Sequence, residues 1–142
     1  MRSPSQAEKA ATTTFRLVFA TVVAVAGCTS QQAKNDCIAE LKRNGAEVQF
    51  GVASEEYYVA FPNRAFDDKA LMAMMPYLKP LEPLASLDFS NTQISDASLD
   101  TLSRCRIKAL HIKRTKISDK GTAELKRRLP HAWINHEAIK QQ

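Results

Sequence analysis

The strongest constraint on this chain is that its second half repeats itself. Leu84-Ala85-Ser86-Leu87-Asp88-Phe89 returns as Ile107-Lys108-Ala109-Leu110-His111-Ile112, and Thr92, Ile94, Asp96 and Leu102 return as Thr115, Ile117, Asp119 and Leu125, all displaced by 23 residues. A fixed offset of apolar positions implies one small unit stacked on its own copy, because a single unit cannot bury its apolar face alone. A weaker copy lies upstream: Val59, Phe61, Phe66, Asp68, Leu71 and Met74 precede Leu87, Phe89, Ile94, Asp96, Leu99 and Leu102 by 28 residues. The five additional residues fall at the proline-rich stretch PYLKPLEP (76–83), where an insertion loops out.

Each unit reads as a strand followed by a helix. In the strand, alternating residues turn inward and those between them turn outward. Asp96 and Asp119 stand at the expected helix starts, where a carboxylate accepts from free backbone N–H groups, and Asp68 aligns with them. The helices are then DASLDTLSR and DKGTAELKRRL, with Leu99, Leu102 and Leu125 toward the core. Gly121 in place of Ser98 is expected to be a small local loss. Thr92 and Thr115 are expected to bond backbone in the turns, a pattern that Arg64 breaks in the first copy.

A period of 20–29 residues carrying LxxLxL is the leucine-rich repeat pattern. LDFSNTQISDASLDTL and LHIKRTKISDKGTAELKRRLP resemble the repeats of small bacterial leucine-rich repeat proteins of the planctomycete type, with the form LxLxxTxITDxGLxxL. The closing Leu129-Pro130-His131-Ala132-Trp133-Ile134 and the leading CIAELKRNGAEVQF (37–50) are similar to that family's ends, so the resemblance covers roughly residues 35–135. It implies an α/β fold, a short leucine-rich repeat solenoid of about three strand–helix repeats on a parallel sheet with an N-terminal helical cap. It specifies the fold and leaves the function open. In the leading helix Ala33, Cys37, Ile38 and Leu41 form one apolar stripe, and Asn44-Gly45 is a C-cap signal. This helix is expected to cover the open edge of the first strand, with residues 130–142 closing the other end and Trp133 as plug.

The N-terminus points to a compartment. Arg2, Lys9 and Arg16 precede the apolar run Leu17 to Gly27, a secretory signal too short to span a bilayer, which takes roughly twenty residues. Val25-Ala26-Gly27-Cys28 resembles the bacterial lipobox, which implies cleavage before Cys28 and a diacylglycerol thioether on its sulfur. An ordinary signal peptide that happens to end in Cys is the other reading, and it would give a secreted protein. The long leading region, with Glu8 in it, leaves a later start residue open. The expected division is 1–27 signal peptide, 28–34 tether, 35–55 helix–strand cap, 56–129 repeats and 130–142 C-terminal cap. The expected location is the cell envelope, at the outer membrane or the periplasmic side; Thr29 after the Cys favours the outer membrane by the enterobacterial sorting rule. Cys37 and Cys105 then sit in a compartment that permits disulfides, but both also suit small buried hydrophobes, the reading preferred here.

Composition agrees with a globular chain: 44% hydrophobic, 25% charged, 4 Gly and 6 Pro in 142 residues, room for one domain at most. Its net charge of +5 is unevenly spread, since residues 28–100 carry 6 Lys or Arg against 11 Asp or Glu, while residues 101–142 carry 11 against 3. Such a split suggests a local anionic partner surface more than nucleic-acid binding, although a solvated basic face is the simpler reading and the one preferred here.

Signatures of catalysis are lacking. His131, His136 and Glu137 are close in sequence, yet nothing completes a metal site. Phosphate loop, nucleophile elbow and paired carboxylates are all missing, so neither enzyme nor cofactor is expected. The candidate surface is instead the concave strand face, with Tyr57, Tyr58, Asn63, Asp88, Asn91, Lys108, His111, Lys113 and Arg114 as its binding residues. Two tyrosines at one end and a basic cluster at the other suit a protein or an anionic glycan, bound by a monomer. A solvated sheet face with no ligand, in a purely structural envelope protein, is the alternative.

Overall fold

The 23-residue offset of the sequence is the register of the sheet. Strand β3 (Leu84–Asp88) pairs in parallel with β4 (Ile107–His111), and the partners are Leu84 with Ile107, Ser86 with Ala109, Leu87 with Leu110 and Asp88 with His111. In a parallel pair, residues in register point the same way, so equivalent side chains stack in rows. The computed structural model describes residues 31–137; the expected signal segment and Cys28 lie outside them.

The elements run α1 (Gln31–Arg43), β1 (Glu47–Gly51), β2 (Glu56–Ala60), α2 (Asp68–Leu78), β3, α3 (Leu99–Ser103), β4, α4 (Asp119–Arg128) and β5 (Trp133–Asn135). Short 3-10 turns at Lys79–Leu81 and Asp96–Ser98 follow α2 and precede α3. The five strands form one sheet in sequence order, with β1 antiparallel to β2 and every other pairing parallel. The molecule is thus α/β, a mostly parallel sheet whose strands are linked by helices.

All four helices pack on one face of that sheet. Leu41 of α1, Leu71, Met74 and Leu78 of α2, Leu102 of α3 and Leu125 of α4 share one core with Val59, Leu84, Leu87, Ile107 and Leu110. Beyond the strands, Phe61, Phe66 and Phe89 close the core with ring centroids 4.4 to 5.7 Å apart, Phe89 stacked on both of the others and Phe61 tilted against Phe66, contacts that add to their area burial. The turns repeat as the strands do. Thr92 Oγ1 donates to the Phe89 carbonyl at 2.7 Å, and Thr115 Oγ1 to that of Ile112 at 3.0 Å; both are buried, so these bonds satisfy hydroxyls that would otherwise be costly. Asn91 and Arg114, again 23 apart, hold the same left-handed backbone with φ of 64° and 53°.

Several expectations need correction. Ser95 and Ser118, not the aspartates after them, cap the helical segments, by accepting from the N–H groups of Ala97 and Gly121; in the first copy the cap is Asp67, which accepts from Ala70. The aspartates reach across instead. Asp68 accepts from Ser95 N–H (2.8 Å), Ser95 Oγ (2.6 Å) and Ser98 Oγ, and Asp96 accepts from Ser118 N–H (2.8 Å) and Ser118 Oγ (2.6 Å). Each carboxylate therefore bolts its own turn to the next. Gly121 is no loss in this setting, because a Cβ there would stand 2.3 Å from the Asp96 carboxylate oxygen.

The ends differ too. Residues 31–34, expected in the tether, are the first turn of α1. Gly45 ends that helix with φ of 84°, a conformation that favours glycine. Trp133 is not a plug: it is 59% exposed, and β5 joins the sheet as a fifth strand. Ile134, paired with Leu110, is the residue of β5 that packs against the core. Cys37 and Cys105 are both buried, and no disulfide joins them.

Candidate functional site: the helix-free face of the sheet

With every helix on one side, the other side of the sheet is built from the alternate strand residues. In-register pairing carries them across in rows: Gln49 beside Tyr58, Tyr58 beside Ser86, Ser86 beside Ala109 and Ala109 beside Trp133. A second row runs Glu47, Ala60, Asp88, His111 and Asn135. Tyr58 is 43% exposed and Trp133 more so, and they stand three strand spacings apart, roughly 14 Å. Between them the surface is small and polar. Glu47, Gln49, Tyr58, Ala60, Ser86 and Asp88 enclose a shallow depression of about 160 Å³.

Not every anticipated residue is on this face. Tyr57 is buried at 8% exposure, with its ring 5.0 Å from that of Phe50. Aligning β2 on LxxLxL places Glu56 opposite Leu84, but the pairing slips at this point, so that Tyr57 meets Leu84 and Tyr58 meets Ser86. The slip leaves strict alternation in β2, and Tyr57 falls inside with Val59 and Phe61. Tyr58, Asp88, Lys108 and His111 lie on the strands themselves. Asn63, Asn91, Lys113 and Arg114 sit on the loops that follow the strands, forming a rim. Cys28 lies outside the described residues.

The polar groups are largely engaged with one another. Lys108 reaches over β3 to Glu56 at 2.7 Å. Asp88 Oδ1 accepts from Ser90 N–H at 2.7 Å, and Asn63 Oδ1 accepts from Ala65 N–H at 2.9 Å. Lys113 lies 3.8 Å from Glu137. His111 meets Trp133 edge-on, with centroids 5.3 Å apart and planes at 71°, which fixes the indole on the face. Trp133, Glu47, Gln49 and Asn135 are the members of the face that sequence reasoning missed. The cue for Trp133 was available, since Ile134 lies 24 residues after Leu110, close to one repeat, which would have predicted one more strand.

Elsewhere the perturbed groups are structural. For Asp68, partial burial acts to raise the pKa but is outweighed by the hydrogen bonds from Ser95 and Ser98 and by the Lys116 charge, which hold the carboxyl below its usual value. Hydrogen bonds from Arg127 and Arg128 depress Glu124 to about 2. Burial, reinforced by the Glu82 carboxylate, pushes the Cys105 thiol up to about 11, away from reactivity. His136 Nε2 lies 3.3 Å from the Ile117 carbonyl and its Nδ1 lies 3.7 Å from Asp119, so it docks the chain after β5 onto the last turn. Among the described residues no group of three or more His, Cys, Asp or Glu is placed to hold a metal ion, and no helix is long and apolar enough to cross a membrane.

Compared with known proteins, the chain matches no protein-family model, no curated protein and no solved structure.

Proposed function

We propose that this is a lipid-anchored cell-envelope protein of the leucine-rich repeat type, which binds another protein non-catalytically through the helix-free face of its sheet. The repeat assignment is supported by the shared 23-residue register of strands, threonine turns and left-handed positions, and by the Asp–Ser bolts between successive turns. The observation that carries the binding reading is the pair Tyr58 and Trp133, exposed aromatic rings at either end of one otherwise polar sheet face. Amphipathic rings of this kind supply much of the energy at protein interfaces. An anionic glycan finds less support, because Lys108 and Lys113 each have a carboxylate close by on this side. The lipid anchor rests on the lipobox-like Val25-Ala26-Gly27-Cys28.

Two variants of the full chain test this. Cys28→Ala should move the protein out of the membrane fraction; unchanged membrane association would refute the anchor. Purification of the wild-type chain from cross-linked envelopes should recover a stoichiometric protein that Tyr58→Ala together with Trp133→Ala loses. Recovery of the same partner by that double variant would refute binding at this face, and recovery of no partner would favour a purely structural role.

A further inference from the structure

The parallel strands give the molecule two unlike edges, one where strands begin and one where they end. On the first edge lie the β1–β2 hairpin, the start of β3 after Pro83, the start of β4 at Ile107 and the end of α4. Three features meet there. The described chain enters at this edge: Gln31, the first residue of α1, lines a cavity of about 600 Å³ with Phe50, Val52, Glu55 and Tyr57 of the hairpin. The hairpin tip is apolar and bare, with Val52 84% exposed and Phe50 51% exposed. Further along lie Arg104, Arg106, Lys126, Arg127 and Arg128 with Lys79 and Lys108, against Asp100, Glu124, Glu82 and Glu56, seven cations to four carboxylates. Arg106 and Lys126 form no ion pair among the described residues. On the hairpin Glu55 has the opposing sign, and Lys34 in the same cavity wall offsets it.

We propose that this edge lies on an anionic lipid bilayer, with the hairpin tip in the headgroup region and the basic cluster on the lipid phosphates. The inference rests on the lipid-anchor reading above. Only Thr29 and Ser30 separate Cys28 from Gln31, three Cα-to-Cα steps that can span at most about 10 Å, so a lipidated Cys28 keeps this edge at the surface. A tether alone would leave the domain free to roll. An apolar tip beside the tether and a cationic patch about three strand spacings, roughly 14 Å, away give separated contacts of two chemistries. The opposite edge offers neither, since its loops mix Arg64, Lys69, Lys113, Arg114, Lys116 and Lys120 with Asp67, Asp68, Asp88, Asp96, Asp119 and Glu137, six against six. Held in this way, the strands stand along the membrane normal. The helix-free face then looks sideways, parallel to the membrane, toward partners in the same layer.

The chain has one tryptophan, which allows an optical test. Full-length protein carrying Trp133→Phe is given a new tryptophan by Val52→Trp, or at the far edge by Arg64→Trp. Each form, purified with its anchor, is reconstituted into phosphatidylglycerol–phosphatidylcholine vesicles that bear a headgroup spin label. Quenching should be several-fold stronger for Val52→Trp than for Arg64→Trp, and the difference should shrink in pure phosphatidylcholine or with Arg106→Glu plus Lys126→Glu. Equal quenching at the two positions, stronger quenching at the far edge, or a difference indifferent to lipid charge overturns the proposal while leaving the anchor intact. Failure of the chain to float with the vesicles overturns the anchor and this proposal together.

Discussion

Asp68 and Asp96 show how one side chain can do more for a repeated fold than its local position suggests. Each sits in the first turn of a helical segment, where a carboxylate suits the dipole, yet each spends its oxygens on the serine of the following turn. Removing the acceptor leaves Ser95 or Ser118 with an unanswered backbone N–H, and hydrogen bonds to charged groups carry more stability than neutral ones. Asp68→Ala should therefore lower unfolding stability by about 2 kcal/mol, and the more exposed Asp96→Ala by about 1 kcal/mol, read from urea midpoints at constant m. Asp68 also has a signature in acid. A carboxyl held below its unfolded value of 3.8 stabilises the fold fully above that value, and the contribution is lost as pH falls through the folded value. Asp68→Asn should thus cost stability at neutral pH and flatten the loss that wild type shows on going down to about pH 3. Equal acid sensitivity in variant and wild type would count against the bolt. Sequence placed these aspartates on the right turns but misjudged their partners. In a Ser-Asp pair both residues can cap, and which one turns back along the chain is set by the neighbouring unit, which only the three-dimensional stack supplies.

At the level of the element, what the sequence conveyed was periodicity. Leu84, Leu87, Phe89, Leu110 and Ile112 are fully buried, as the offset of 23 required, because the pattern of inward positions is also the pattern of burial. Leu110→Ala should cost about 3 kcal/mol, since the row of Leu87 and Ile134 on either side leaves the cavity little room to collapse, whereas exposed Met72→Ala should stay within about 0.5 kcal/mol. Thermal unfolding of both variants beside wild type checks the contrast. Where periodicity failed, a register event was responsible. The slip between β2 and β3 cannot be seen in a single strand, which hides the inward turn of Tyr57, and a strand of three residues is too short to show alternation, which hides the place of Trp133 in the sheet. The faces were legible; the identities at the two ends of the sheet depended on pairing.

Taken whole, the chain separates its duties by surface. One face of the sheet is consumed by the core, the strand-start edge carries an excess of cations and a bare hairpin, and the helix-free face carries Tyr58 and Trp133. Part of the charge asymmetry between residues 28–100 and 101–142 lies at that edge, while Lys108 and Lys113 of the candidate site itself are answered locally by Glu56 and Glu137. The central claim is that the helix-free face is where a partner binds. Photo-crosslinking in intact cells tests it most directly, with a benzophenone amino acid placed at residue 58 or 111 of the full chain and, on the helical side, at residue 72. The face positions should yield one common crosslinked partner that Trp133→Ala abolishes, while position 72 yields none. Crosslinking of that partner from position 72 alone, or no crosslink from either face position, would contradict the claim.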